Sequence, residues 1–253
     1  MKKIPKTVWV LLGLMAAIYT AWSIAYPSGT WRYRMTVTVE TPEGIKTGSA
    51  VREIFAHCEP HLFQTNPCNT ALAKGEAAAV DLGKRGVLFA LMRGGPYGAD
   101  YGWAIVHHVF FRSSGHTSKE LIRQYRWLKT GKVALHPNQY PMFVRFKDPK
   151  DPKTVENLLD MEPCTDSATG IPGNSLCLVK DHFEEAFGAG VKLKEVTIEM
   201  TDDQVTWGVE KWLPWLPERK NVSGSLGGTP DKPFEDPTKT YLNGSEFHTG
   251  KVW

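Results

Sequence analysis

The run at residues 8–26, VWVLLGLMAAIYTAWSIAY, restricts this chain more than any other feature: nineteen residues pass without a charge. An α-helix rises about 1.5 Å per residue, so a hydrocarbon layer of about 30 Å takes about 20 residues. Trp9 stands at one end of the run, and Trp22 and Tyr26 at the other. Amphipathic rings at both ends match the two water–lipid interfaces. Lys2, Lys3 and Lys6 precede the run, and no positive residue follows it until Arg32. The positive-inside bias therefore expects residues 1–7 in the cytoplasm, 8–26 as a single-pass anchor in the lipid bilayer, and the rest of the chain outside. The alternative is a cleaved signal peptide, with Ser23-Ile24-Ala25 as the peptidase site. Signal peptides have apolar regions of about 7–15 residues, and this one is longer. Either way the same domain is exported.

The three leading lysines account for the whole net charge of +3, so residues 27–253 are neutral. A neutral domain gives no support to nucleic-acid binding, which needs a basic surface. The four cysteines, Cys58, Cys68, Cys164 and Cys177, all lie in the exported part. In an oxidising compartment the default reading is two disulfides, and four cysteines permit three connectivities. Local pairing, Cys58 with Cys68 and Cys164 with Cys177, is the expectation, because each pair brackets one irregular stretch.

The pattern beyond the anchor predicts an α+β fold: antiparallel hairpins, further strands, and three to four packed helices. Residues 31–40 alternate without a fault, Trp31, Tyr33, Met35, Val37 and Val39 on one face and Arg32, Arg34, Thr36, Thr38 and Glu40 on the other. Thr41-Pro42-Glu43-Gly44 is a turn, and 45–55 returns as a second strand, with Gly48 expected to mark a bulge. Residues 56–74 read as a loop. A second hairpin pairs 76–82 with 87–92, whose continuous apolar run at 87–91 expects cover on both faces. Residues 100–111 and 117–128 read as helices, the second opened by a Thr117/Glu120 capping box and closed by Gly131. Strands are expected at 132–135 and 141–147, a short helix over 154–159, a loop over 162–178, and a short helix capped by Asp181 and Glu184 that ends at Gly188. In the strand at 191–200 the apolar parity switches from odd (Val191, Leu193) to even (Val196, Ile198, Met200), which predicts a bulge near Lys194-Glu195. A helix is expected from 202 to about 213, stopped by Pro214 and Pro217. The domain thus spans 27–217, and 218–253 reads as a polar tail, extended or draped over the domain.

Motifs with chemistry are weak. Cys58, His61 and Cys68, with His57 beside them, carry zinc-type donors, but their spacing fits no zinc pattern and a disulfide is the plainer reading. Asp100, His107 and His108 are the catalytic candidates: an imidazole base oriented by a carboxylate, as in a hydrolase. No Gly-x-Ser-x-Gly elbow or His-Glu-x-x-His motif accompanies them. The Gly-rich stretches at 83–86 and 94–98 do not join a strand to a helix and read as turns, so no cofactor is implied. Asn221 and Asn243 open N-glycosylation sequons, meaningful only in a eukaryotic host. Trp207, Trp212, Leu213, Trp215 and Leu216 form the densest aromatic cluster, read either as core filling or as a surface that docks on the membrane interface or on a membrane partner.

Three stretches resemble one group of proteins: 144–148 with 151–155 (VRFKD, DPKTV), 187–194 (FGAGVKLK) and 201–216 (TDDQVTWGVEKWLPWL). Together with the first hairpin they resemble an uncharacterised group of proteobacterial exported proteins carrying one N-terminal hydrophobic segment. The likeness covers about half the chain and implies a bacterial inner membrane and periplasm; it carries over no activity and no site residue. The functional expectation is a non-catalytic accessory subunit or assembly factor that binds another envelope protein. The alternatives are an envelope hydrolase built on Asp100, His107 or His108, and a periplasmic small-ligand binder.

Overall fold

The computed structural model describes residues 5–60, 67–94, 97–112, 116–125, 127–128, 131–165, 172–219, 242 and 244–250. Helix α1 (Lys6–Ala25) covers the apolar run, and none of its residues is buried. Among the described residues it is the one helix long and apolar enough to cross a membrane. Its last turn closes with Tyr26 N–H donating to the Trp22 carbonyl, and only Tyr26 and Pro27 separate it from the first strand.

That strand, β1 (Ser28–Thr41), pairs with β2 (Gly44–Cys58) along its whole length without a register shift. Tyr33, Met35, Val37 and Val39 are fully buried, as period two demands when one face is covered. Strand β3 (Cys68–Glu76) then pairs back onto β2. Strands β4 (Ala78–Asp81) and β5 (Val87–Gly94) form the second hairpin, followed by α2 (Tyr101–Phe111) and α3 (Lys119–Tyr125). Next come β6 (Val133–Ala134), β7 (Pro141–Phe146), β8 (Val155–Asn157), β9 (Leu159–Thr165), β10 (Pro172–Asp181), α4 (Phe183–Phe187), β11 (Lys192–Thr201) and β12 (His248–Thr249). The strands make a six-stranded sheet in the order β12-β3-β2-β1-β11-β6, a four-stranded sheet β4-β5-β7-β8, and a two-stranded ribbon β9-β10. The described pairings are all antiparallel.

The four-stranded sheet lies between two cores. Leu88 and Ala90 of β5 join the large core with β1, β2 and α2, whereas Phe89 and Leu91 join a second core with Val144, Phe146, Leu213, Trp215 and Phe247. Strand β5 is thus covered on both faces, as its continuous apolar run implies. The parity switch in β11 is also realised: Thr38 faces Glu195 and Val39 faces Leu193, leaving Lys194 as the extra residue of a bulge.

Several expectations are corrected. Gly48 marks no bulge; it pairs in register with Val37, and a Cβ there would run into the Ala79 carbonyl, so its role is close approach of β4. The described residues of 56–74 are mostly strand, with Cys58 directly opposite Cys68. The N-terminal cap of α3 is Ser118, whose Oγ accepts from Leu121 N–H, while Thr117 is buried and bonded to Thr70. That helix ends at Tyr125 and does not reach Gly131. The expected helix at 154–159 is a 3-10 turn (Pro152–Thr154) running into β8, and the expected loop at 162–178 is largely the β9-β10 ribbon. No helix forms over 202–208. Gly208 has φ +145, outside the helical range, and Thr206 spends its backbone N–H and hydroxyl on the carbonyl and N–H of Val51, so only the 3-10 turn Val209–Lys211 follows. The described residues of the C-terminal stretch lie draped over the domain, one of the two forms expected of it. Leu242 and Phe247 are fully buried in the second core, and β12 pairs with Gly75 and Glu76 of β3. Phe247 supplies the apolar area that the polar composition of 218–253 disguises.

One charged side chain joins these layers. Arg52 of β2 is fully buried. Its Nε donates to the Glu76 carbonyl at 3.0 Å, and one terminal nitrogen donates to Ala90 at 3.0 Å and Leu91 at 3.4 Å. The other reaches the Tyr33 hydroxyl at 3.5 Å. The planar guanidinium fork satisfies carbonyls of both sheets at once, a geometry an ammonium does not have. Arg52→Ala orphans these buried acceptors and opens a cavity, so it is expected to lower the unfolding free energy by about 3–5 kcal/mol. Arg52→Lys is expected to recover less than half of that loss. Urea unfolding with both disulfides intact measures both, and a cost of Arg52→Ala below about 1 kcal/mol would show that the fork is dispensable.

Candidate functional site

A cleft of about 510 Å³ opens where β3, the end of β5, the start of α2 and the C-terminal segment converge. Asn69 and Thr70 come from β3, Arg93 from β5, Asp100 and Trp103 from α2, and Glu246 from the C-terminal 3-10 turn Gly244–Glu246. The fold builds this wall from the far end of the sequence: Ala77 N–H donates to the Phe247 carbonyl at 2.7 Å, and β12 adds to the edge of β3. The charges in the cleft are engaged with each other. Arg93 donates to Glu246 at 2.7 Å, and Glu246 is largely shielded from solvent. The indole N–H of Trp103 donates to Asp100 at 3.2 Å. The Thr70 hydroxyl is bonded to that of Thr117 at 2.8 Å. Such a cleft can receive a polar side chain or a peptide edge by hydrogen bonds.

Of the three catalytic candidates only Asp100 lines this cleft, and the structure does not bring it together with the histidines. His107 is fully buried, its ring 5.2 Å from that of Trp103, 6.3 Å from Phe111 and 5.8 Å from Tyr125. Neither ring nitrogen has a hydrogen-bond partner among the described residues, and burial alone pushes its pKa down to about 4. It is a neutral imidazole packed in aromatic carbon. His108, next in sequence, turns outward and is exposed, 5.8 Å from the Tyr97 ring.

Both expected disulfides are present, Cys58–Cys68 across β2 and β3 and Cys164–Cys177 across the ribbon. The first consumes the sulfurs of the zinc-type motif, and His61 lies outside the described residues. Among the described residues no group of three or more side chains is arranged to hold a metal ion. Asn221 and Asn243 also lie outside the described residues. In the aromatic cluster, Leu213, Trp215 and Leu216 are buried in the second core, where Trp215 packs at 5.6 Å from Phe146 and 6.0 Å from Phe247. Trp207 and Trp212 remain partly open to solvent, Trp212 beneath the Lys211 ammonium at 5.0 Å.

Sequence reading passed over a second polar cluster. His182, between the ribbon and α4, has Glu185 at 2.6 Å on Nδ1 and Asp160 at 2.8 Å on Nε2, and Lys180 pairs with Glu185 at 2.7 Å. The hydrogen bonds to Glu185 and then Asp160 raise the His182 pKa above 6.5. The Lys180 and His182 bonds hold Glu185 down at about 2. Only the 182/185 spacing was available to signal it, since Asp160 arrives through ribbon pairing. Arg93 and Glu246 were missed because Glu246 lies in the stretch read as tail.

Comparison with protein-family models, with curated proteins and with solved structures finds no match for this chain.

The two histidines give stability opposite pH dependences. His107 is depressed, so its contribution is complete above the unfolded value of 6.5 and is lost as pH falls through about 4. His182 is raised, so its contribution is complete below 6.5 and is lost as pH rises through its higher folded value. Urea titrations from about pH 4 to about pH 9 are expected to show His182→Gln destabilised at the acid end and converging on the parent at the alkaline end. His107→Leu is expected to lose less stability than the parent on acidification. Equal cost of His182→Gln at both ends would remove the carboxylate pairing as its cause.

Proposed function

We propose that this chain is a single-pass membrane protein that holds an extracytoplasmic binding domain at the bilayer surface, as an accessory subunit or assembly factor for another envelope protein. The observation that carries the reading is α1: a 20-residue apolar helix, none of it buried against the domain, that leads through two residues into a disulfide-braced sheet. The lysines before the apolar run support an orientation with the N-terminus inside, and the sequence resemblance supports the periplasmic side of a bacterial inner membrane. The disulfides belong to an oxidising compartment of that kind.

Binding rather than chemistry is the reading because the cleft's carboxylates and guanidinium are already committed to partners within the fold. Its open polar walls suit an edge of another protein better than an enclosed small ligand, which favours apolar cavities. Trp207 and Trp212 offer exposed aromatic surface of the kind that anchors protein interfaces. Photocrosslinking in cells, with a photoreactive residue at Asn69, Trp207 or Trp212, tests the reading. One discrete adduct heavier than the chain is expected from at least one position, in a membrane fraction that resists alkaline extraction. The proposal is refuted if no position yields an adduct and the detergent-extracted protein purifies as a lone monomer.

A further inference from the structure

Helix α3 presents two unlike faces. Leu121, Ile122 and Tyr125 are buried, Ile122 against Ala56 and the Cys58–Cys68 disulfide, and Tyr125 stacked on Trp31 at 4.5 Å. Away from that face, Lys119 and Arg123 stand one turn apart on α3, and Trp127 follows four residues later, in the turn past its end. The turn carries on past Tyr125, with Trp127 N–H donating to the Gln124 carbonyl at 3.0 Å.

The two cations touch the end of α1. The Lys119 ammonium lies 5.2 Å from the centre of the Tyr26 ring, and an Arg123 guanidinium nitrogen donates to the Ile24 carbonyl at 2.8 Å. Trp127, one turn further, is 84% exposed, the most exposed large apolar side chain of the described residues. Glu120 lies beside Arg123 at 3.9 Å, and with Lys119 the three still carry one net positive charge. An exposed indole that follows in sequence two cations seated against Ile24 and Tyr26 has the composition of an interfacial membrane contact.

We infer that α3 and the turn after it are a second membrane contact, seated on the headgroup layer beside the exit of α1, with Trp127 inserted at the interface and Lys119 and Arg123, which pin α3 to the end of α1, adding positive charge there. The occupant is the bilayer and not a protein groove. The two cations sit against the end of the helix that enters the lipid, and their charge complements a phosphate surface. With α1 it gives two points of attachment, which fixes the tilt of the domain and so the direction in which the cleft faces. The inference rests on the reading of α1 as an anchor.

The test uses the intact chain, labelled with 5-fluorotryptophan, in nanodiscs of phosphatidylethanolamine and phosphatidylglycerol. Trp9, Trp22, Trp127 and Trp215 resonances are assigned by single Trp→Phe changes. Trp127 is exposed, so its replacement leaves the fold intact, and Trp215, buried in the second core, is the reference. A lipid spin-labelled near the top of its acyl chain is expected to cut the Trp127 signal at least twofold, together with Trp22, and to spare Trp215. Loss of signal at Trp9 and Trp22 without loss at Trp127 overturns the inference and leaves the anchor standing. No loss at any of the three overturns the anchor reading itself.

Discussion

A buried guanidinium holds this domain in register. Removing a charge from water is costly, and Arg52 offsets that cost by donating to main-chain carbonyls where two sheets meet. The arrangement leaves no slack. A Cβ at Gly75 would press on the Arg52 side chain at 2.8 Å, and a Cβ at Gly48 would meet the backbone of β4. Glu76, whose carbonyl receives Arg52, extends the linkage: its carboxylate accepts from Val209 N–H at 2.9 Å, and burial raises its pKa. Its neighbour Ala77 donates to Phe247. The junction of β3 and β4 is therefore where the core charge, the 205–216 strap and the C-terminal segment are tied together.

The opposite end of the sheet is fastened differently. Cys58 N–H donates to the Pro27 carbonyl at 3.1 Å, so the disulfide strand is pinned to the residue that joins α1 to β1. The disulfide fixes β3 to β2 at this level, and α3 covers it through Ile122. β1 then runs 14 residues away from the helix, about 45 Å at the strand rise. The sheet therefore has an end tied to α1 by the disulfide level and a distant end formed by the 41–44 turn. The solvent face of the sheet carries ion pairs, Arg32 with Glu53 at 2.8 Å, Arg34 with Glu199 at 3.0 Å and also with Asp203. Glu53 is buried beneath Arg32, whereas Arg34 and its partners stand half open to water, where ion pairs contribute little to stability.

Local pattern was a good guide where local forces decide. Strict alternation found β1, a continuous apolar run found the two-faced β5, and a change of parity located the Lys194 bulge in β11. It failed where a distant segment claims the backbone. Residues 202–208 carry helix-compatible residues, yet Val51 takes the Thr206 groups and Gly208 turns the chain. Residues 162–178 read as a loop, because the ribbon their described residues form is stabilised by its partner strand and not by its own composition. The candidate site was least legible of all. Asp100 was singled out, but Arg93 and Glu246 meet only because Phe247 carries the C-terminal segment into the second core.

What the amino-acid order settled by itself is whatever depends on near neighbours: an apolar helix long enough to span a bilayer, the hairpin over 31–55, and two cysteine pairs close enough in sequence to find each other. Tertiary structure alone decided which polar groups become interior. Arg52 shares the buried face of β2 with Ala50 and Ile54, and only the arrival of β3 and β5 carbonyls makes that position tolerable for a charge. The same holds for Glu246 in its cleft and for the exposed Trp127. Burial and exposure are relations between segments far apart in the chain, and no window of sequence contains both partners.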